Sequence, residues 1–495
     1  MTHRPADAVE THISTVFFAG DRAFKLFKPV AMPFLDLRSV EARVTAVRDE
    51  LELNRRIAPD VYLGHADIFE GDELADRMVV MRRLREEDRL TGRLLDYDTT
   101  TERKARADDG LRQVARAVAA FHSKLPALVG DDAKPASVDS VRKNWHDNFA
   151  VIEEHLGSVL DPDEHTQIQH LVARYLDAHA DIFARRIDDG FVRDGHGDLR
   201  AEDIFCTDDG PRILDCLSFD YNLRAGDVLL DMAFLGMDTD RLAGSEASQL
   251  LMRYYRDFSN ESHPSSLAHF YVAYRAHVRA KIACIRHEQG VPSAASDARS
   301  YHALTLHHLR RSEVRIVLVG GGAGMGKTTV ANGLSKEMGW MVLNADELRK
   351  DLAGVERDDH GDAAPGAGLY SDENKDRVYT ELIREACAIV RSGETVVLDA
   401  SWTNARHRQE ARDAAAECGV QITEIECELD PGIAKERIAR RMAGYSASDA
   451  TPEVADFLAA TRDPWPEAHR LQTGAPVTQV VRRGVVLACA VQALG

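Results

Sequence analysis

Two short stretches carry side chains whose types and spacing suit phosphate chemistry. The first, His196-Gly197-Asp198-Leu199-Arg200-Ala201-Glu202-Asp203, sets Asp198 and Asp203 five residues apart, and Asp215 ends the apolar run RILD just beyond. Carboxylates on neighbouring strand–loop junctions can divide the work of phosphoryl transfer. One receives and orients an acceptor hydroxyl, and another holds Mg2+ on the phosphates of ATP. The second stretch, Gly321-Gly322-Ala323-Gly324-Met325-Gly326-Lys327-Thr328, fits G-x-x-x-x-G-K-[ST]. It follows a strand pattern and opens a helix pattern, the context this motif needs. Its glycines let backbone N–H groups turn inward around phosphate oxygens, and the helix N-terminus adds positive charge. Lys327 would reach the β and γ phosphates and Thr328 would bind Mg2+, with Thr329 next on the helix. A flexible Gly-rich connector would not call for the Lys-Thr pair.

Further residues gather around each stretch. Asp399 ends the strand pattern TVVLDA, where it reads equally as a Mg2+ ligand or as a turn-capping Asp. Asp346 ends MVLNAD at the carboxyl end of a parallel strand, near the ligand crevice, and could take the proton of an attacking hydroxyl. Arg349, three residues on, is a candidate substrate contact. AKERIARRMAG places Arg437, Arg440 and Arg441 on one helical stretch, either closing over a transferring phosphoryl group or forming a solvated basic face. Upstream, Lys25 lies in RAFKLFK and Glu50 in AVRDELELNRR. They could form a Lys–Glu pair that aligns phosphates, although any strand lysine near an acidic helix reads the same way.

The elements that must position these residues follow from pattern. STVFFAGDRAFKLFK predicts a hairpin around Gly20-Asp21, and VYLGHADIF with DRMVVMRRL predicts another. SVEARVTAVRDELELNRRIA has helical spacing and stops before Pro59. From about residue 105 the chain is mainly helical, except for β-rich runs flanking polar loops over 190–220. Residues 288–312 predict a loop and then a connecting helix. Beyond them VRIVLVG, MVLNAD, TVVLDAS and ITEIECELD alternate with helical stretches, which argues for parallel βα units. The expected organisation is an α+β domain over 1–305, a linker over 306–312 and an α/β P-loop domain with a parallel sheet over 313–495.

Composition narrows the function. The 495 residues suit two to four domains. Net charge is −19, and both parts share it: residues 1–312 hold 41 Lys/Arg against 52 Asp/Glu, and 313–495 hold 21 against 29. This disfavours a nucleic-acid partner. Seven scattered cysteines without a CxxC suit reduced thiols. With no apolar run near the ~18 residues of a bilayer span, a soluble cytoplasmic protein without a membrane partner is expected. His307-His308 reads as an exposed helix face, and Trp402 and Trp465 read as packing residues.

The motifs resemble two known groups. Residues 313–495, through NADELRKDLAG, VVLDAS and ERIARRMAGYSASDATPEV, resemble the small-molecule P-loop kinases that include gluconate kinase, chloramphenicol phosphotransferase and zeta toxin. That resemblance implies Asp346 as the acceptor's base and Arg437, Arg440 and Arg441 as lid arginines. Residues 1 to about 305 resemble the aminoglycoside phosphotransferase family, whose fold is bilobal and protein-kinase-like. HGD at 196–198, LD at 214–215, FHSKL and GDVLLDMAFLGMD carry that likeness. It implies Asp198 as catalytic base, Asp215 as main metal ligand and Lys25 as phosphate lysine. The linked pair, with its ETHIS…AFKLFKPV…FLDL start, resembles a bacterial two-domain family. Two departures stand out. Asp203 occupies the position of the usual second metal ligand, Asn, and no Gly-rich loop precedes Lys25, leaving THIS at 11–14 to cover the phosphates.

The expectation is an ATP- and Mg2+-dependent phosphotransferase acting on hydroxyl groups of small molecules, with two nucleotide-binding domains. Two alternatives are an N-terminal pseudokinase that regulates a C-terminal kinase, and an ATPase without transfer. The sequence leaves both acceptors and the oligomeric state open.

Overall fold

In this computed structural model the described residues are 7–11, 13–32, 35–354, 371–441 and 460–489. The chain divides into two compact units. One holds residues 1–173, 180–263 and 268–309, and the other 174–179, 264–267 and 310–495. Residues 306–312 lie within the helix Ala294–Ser312.

The first unit begins with strands β1 (Asp7–Glu10), β2 (Ser14–Ala19) and β3 (Arg22–Phe27), then a two-residue pair, β4 (Ala31–Met32) and β5 (Leu35–Asp36). Strands β6 (Tyr62–Glu70) and β7 (Glu73–Arg82) follow the helix Val40–Asn54. Five of these strands form one sheet in the order β1-β2-β3-β7-β6, with every neighbouring pair antiparallel. Both expected hairpins are present, turning at Gly20 and Gly71, where φ is 59° and 63°. Positive φ at these tight turns suits glycine, which has no Cβ to clash.

Strand β3 alternates strictly, with Ala23, Lys25 and Phe27 on its buried face. A lysine on a core-facing position must find a counter-charge. The helix Val40–Asn54 supplies one. Ser39 caps it by accepting from Ala42 N, and its inner face carries Arg43, Val47, Glu50, Leu51 and Asn54. Val47 and Leu51 join Ala23, Phe27, Val61 and Val79 in the core of this sheet.

The rest of the unit is mostly helical. Helices Thr101–Lys124 and Val228–Ser259 share a core in which Leu111, Val114 and Val118 meet Met232, Leu235, Leu251 and Tyr255. Leu199, Ala201, Ile204 and Ile213 belong to the same cluster, so the polar loop carrying Asp198 and Asp203 rests on packed apolar side chains. Short strands frame that loop: β8 (Val192–Asp194), β9 (Ile204–Thr207), β10 (Gly210–Ile213) and β11 (Ala225–Asp227), with β9 paired to β10 and β8 to β11.

The second unit is a parallel sheet of β12 (Arg315–Gly320), β13 (Met341–Asn344), β14 (Val396–Asp399), β15 (Gln421–Glu428) and β16 (His469–Gln472), in the order β13-β14-β12-β15-β16. All six residues of β12 are buried because helices cover both faces. Ile316 and Leu318 point to a core shared with Val378 and Leu382, while Val317 and Val319 point to Val330, Leu334 and Val480. Four of these strands match the apolar runs of the sequence; β16 does not, being an edge strand whose HRLQ buries only Leu471.

His308 also departs from expectation. It is buried, and its ring contacts Asp240 Oδ2 at 3.0 Å and His269 Nδ1 at 2.9 Å. Only His307 is exposed, because neighbouring residues on a helix point 100° apart. Trp402 and Trp465 are packed as expected, at 0% and 1% exposure.

Candidate active sites

In the first unit two distant segments converge on Lys25. Its Nζ donates to Glu50 Oε1 at 2.9 Å and to Asp215 Oδ1 at 2.6 Å. Burial works against the Lys25 ammonium, but the charges of Asp215 and Glu50 outweigh it and leave the pKa raised. Glu50, 2% exposed, is pushed up by burial against the pull of Lys25. The facing Lys25 charge holds Asp215 below the usual carboxylate range.

Asp215 adopts φ 64°, an uncommon conformation for a residue with a Cβ. Its neighbours hold it there. Asp215 N donates to Tyr62 Oη at 3.1 Å, and Cys216 N donates to Asn54 Oδ1 at 2.9 Å. Asn54 sits one helical turn beyond Glu50 and donates to the Glu50 carbonyl. The helix that pairs with Lys25 therefore also fixes the segment bearing Asp215.

The Asp198 loop is held from below by two carboxylates that the sequence reading did not single out. Asp231 accepts from His196 N at 2.6 Å and from Gly197 N at 2.8 Å, and Asp238 accepts from Ala201 N at 3.0 Å. The two lie seven residues, two turns, apart on one face of the helix Val228–Ser259. Burial pushes Asp231 up, yet the hydrogen bonds and charges of His122 and His196 hold it well below the usual range. The available signal was the spacing within GDVLLDMAFLGMD, an acidic pair on an otherwise apolar helix.

Loss of surrounding water raises the Asp198 pKa, with Arg200, His196, Arg275 and Arg279 partly offsetting it. Asp203 is raised well above its ordinary value by burial and then by the charge of Asp215. Leu214 N donates to the Asp203 carbonyl at 3.0 Å, which ties the two acidic segments together. Among the described residues no group of three His, Cys, Asp or Glu is arranged to hold a metal ion alone. Mg2+ in phosphoryl-transfer sites takes one or two carboxylates and completes its shell with substrate phosphates and water. Asp203 and Asp215 fit that demand, since two mutually repelling carboxylates favour a cation between them. Of the expected phosphate cover, THIS, Thr11 follows β1 and Ser14 opens β2, and Ser14 N donates to Thr11 Oγ1 at 3.0 Å; His12 lies outside the described residues.

In the second unit the P-loop runs from the end of β12 into the helix Lys327–Met338. Gly321, Gly324 and Gly326 take φ of 131°, 74° and 90°. A Cβ on Gly324 would also lie 2.6 Å from the Ala434 carbonyl. Ala323, Gly322 and Met325 complete the loop, and Met325 O accepts from Thr473 Oγ1 at 2.7 Å. Lys327 Nζ donates to Gly322 O at 3.0 Å. Thr328 and Thr329 are exposed at the start of the helix.

Asp399 ends β14 at 2% exposure. Burial raises its pKa, while Lys327 and a hydrogen bond with Thr328 lower it. The two expected Mg2+ positions, Thr328 and Asp399, are thus in contact. Asn344 joins this group, donating to Asp399 Oδ2 at 2.6 Å and accepting from Asp346 N and Glu347 N. Asp346 is ion-paired with Arg349. Of the three arginines on the helix Pro431–Arg441, Arg437 lies against the P-loop: it donates to Thr473 O at 3.1 Å, and its Nη1 is 3.5 Å from where a Gly326 Cβ would be. Arg440 is exposed, and the Arg441 side chain lies outside the described residues. Thr473 and Asn344 were not foreseen, because their work is done on backbone and on neighbouring side chains.

Comparison with known proteins places the chain. A Mycobacterium tuberculosis protein, "Uncharacterized protein Rv2004c", is 37% identical over 473 residues, covering 95% of this chain and 93% of the relative. The chain belongs to that family. The family described as "AAA domain" matches residues 316–465, the stretch from β12 to Trp465. Among solved structures, a choline/ethanolamine kinase family protein from Mesorhizobium loti aligns with 62% of this chain and 92% of its own, at 13% identity and a TM-score of 0.39. A gluconokinase from Sinorhizobium meliloti aligns with 36% and 90%, at 16% identity and a TM-score of 0.27. This chain joins a unit with an antiparallel sheet and many helices to a P-loop unit with a parallel sheet. Among the described residues no helix is long and apolar enough to cross a membrane.

Proposed function

We propose that the protein is an ATP-dependent phosphotransferase with two nucleotide sites, acting on hydroxyl groups of small molecules in the cytoplasm. The observation that supports this best is the convergence of Lys25, Glu50 and Asp215 from segments up to 190 residues apart. A purely structural lysine needs one counter-charge. This one bridges a buried glutamate and a solvent-facing aspartate whose side chain is 55% exposed.

In the first unit Lys25 would orient ATP phosphates while Glu50 fixes its position. Asp203 and Asp215 would hold Mg2+, which neutralises charge on the phosphates. Asp198 would accept the proton of the acceptor hydroxyl, and its raised pKa makes it a stronger base than an ordinary aspartate. In the second unit the P-loop amides and Lys327 would cradle phosphates, Thr328 and Asp399 would hold Mg2+, and Arg437 would offset charge on the transferred group. Asp346 would serve as base, with Arg349 holding it. The acidity of both parts of the chain makes a nucleic-acid acceptor unfavourable.

The test supplies γ-labelled ATP, Mg2+ and a small-molecule extract to the wild type, Asp198→Ala and Lys327→Ala, and follows labelled products by mass. Loss of a different product in each variant is expected. Loss only in Lys327→Ala would make the first unit a binding or regulatory module. Release of free phosphate alone would leave an ATPase.

A further inference from the structure

The cations around Asp198 differ in how they are already used. Arg200 is ion-paired with Glu202. Burial holds His196 below its ordinary pKa, and its Nε2 contacts the Leu214 carbonyl at 3.0 Å. The remaining two, Arg275 and Arg279, sit one turn apart on the helix Ser265–Glu288 and have no carboxylate partner among the described residues. Arg275 is 7% exposed; its Nε donates to the Leu230 carbonyl at 3.2 Å, and its guanidinium lies 4.7 Å from the Phe234 ring centre. Arg279 is half-buried and lies 5.8 Å from the Tyr301 ring centre. Its Nε is buried with no hydrogen-bond partner among the described residues.

Buried guanidiniums are normally matched by anions. Aromatic contacts hold such groups in place but leave N–H edges unspent. Arg275 also forms a wall of an open depression, with Asn144, Asn222, Tyr271, Tyr274 and Asp227. Asp227 is the one carboxylate among the lining residues, and Arg186, which also ion-pairs with Glu261, donates to it through two hydrogen bonds of 2.7 and 2.6 Å. The Leu230 carbonyl that Arg275 holds adjoins Asp231, which grips the Asp198 loop, so a guanidinium without a carboxylate partner among the described residues lies beside that loop.

We infer that the acceptor of the first unit is a small hydroxy compound bearing a carboxylate or phosphate, which Arg275 and Arg279 bind while its hydroxyl faces Asp198. This rests on the phosphotransferase reading above. It sets the substrate class apart from cationic acceptors, which two unpaired guanidiniums would repel. The anion would supply the missing partner and orient the hydroxyl by bidentate hydrogen bonding.

The test uses the full chain carrying Lys327→Ala, which silences the second site. Glycerol, glycerate, glycerol 3-phosphate and choline are titrated calorimetrically, with and without Mg2+ and a non-hydrolysable ATP analogue. Glycerate or glycerol 3-phosphate is expected to bind, and the tighter of the two identifies the anion as carboxylate or phosphate. Glycerol and choline should bind at least about tenfold more weakly. Arg279→Gln should weaken anion binding by roughly tenfold or more, as loss of a charged hydrogen-bonding partner does. Arg279→Lys should restore part of it, and both variants should melt like the parent. The inference is overturned if neither anion binds, if glycerol or choline binds as well, or if Arg279→Gln leaves anion affinity unchanged. Failure of the ATP analogue to give a Lys25-dependent signal, with Arg279-dependent anion binding intact, would instead sink the phosphotransferase reading and leave the anion site standing.

Discussion

The two candidate sites solve one electrostatic problem with different materials. In the proposed function the second unit would hold phosphate with backbone: three glycines at positive φ, a helix N-terminus and one lysine, all within Gly321–Thr328. The first would hold it with side chains drawn from β3, the helix Val40–Asn54 and the segment after β10. Lys327 rests on a P-loop carbonyl, whereas Lys25 is locked between two carboxylates. A backbone cradle can be preformed without burying charge. A side-chain cradle must build its charges into the core, so catalysis and folding share the same residues.

The strongest challenge to this contrast is a pair of matched substitutions. Lys327→Ala and Lys25→Ala should each lower transfer at their own site by about 10²–10³-fold, the scale of removing one charge stabiliser. Only Lys25→Ala should also destabilise the protein, by about 3–5 kcal/mol, because it leaves Glu50 buried and unpaired. Denaturant melts of both variants would read this, and equal stability loss would erase the distinction.

A smaller effect is expected at Asp231. Asp231→Asn keeps the shape but can accept only one of the two N–H groups at 196 and 197, so the loop should loosen. Turnover at the first site should fall about tenfold to a hundredfold, for a loss of roughly 1.5–3 kcal/mol. Product formation that depends on Lys327 should not change. Loss of both products would mean that Asp231 serves the whole fold.

The mildest prediction concerns Asp203. Removing one of two repelling carboxylates should raise the Mg2+ concentration for half-maximal activity at the first site by about fivefold, near 1 kcal/mol. The same residue makes a pH argument. The folded pKa values of Asp198 and Asp203 are raised, so both bind protons more readily than ordinary aspartates. Activity of the first site should therefore fall on acidification at a pH above 3.8, the ordinary aspartate value. Asp203→Asn should shift the Mg2+-limited part of that fall towards lower pH. A Mg2+ requirement unchanged by the substitution would remove Asp203 from the metal site.

What could be read in advance follows the same division. The P-loop was legible because its work is local, eight consecutive residues between a strand and a helix. The parallel sheet was legible from apolar runs, except at β16, where an edge position demands little burial. In the first unit the meeting of Lys25 with Glu50 was foreseeable from a lysine on an alternating strand and an acidic helix. The supports were not. Asp231, Asp238 and Thr473 bind main-chain groups, and a main-chain partner leaves no mark in side-chain spacing. Arg275 and Arg279 were hidden because their meaning lies in the partners they lack. His308 was misread because its acidic partner, Asp240, is 68 residues away.

Asn344 carries one further consequence. Its oxygen caps the helix Ala345–Ala353 and its nitrogen grips Asp399, so both ends of the amide are spent and its plane cannot turn over. One flat, rigid group therefore gauges the spacing between the carboxylate that ends β14 and the helix that begins with Asp346. Exchanging it for aspartate would turn this spacer into a wedge, driving like charges against each other and opening the crevice from within.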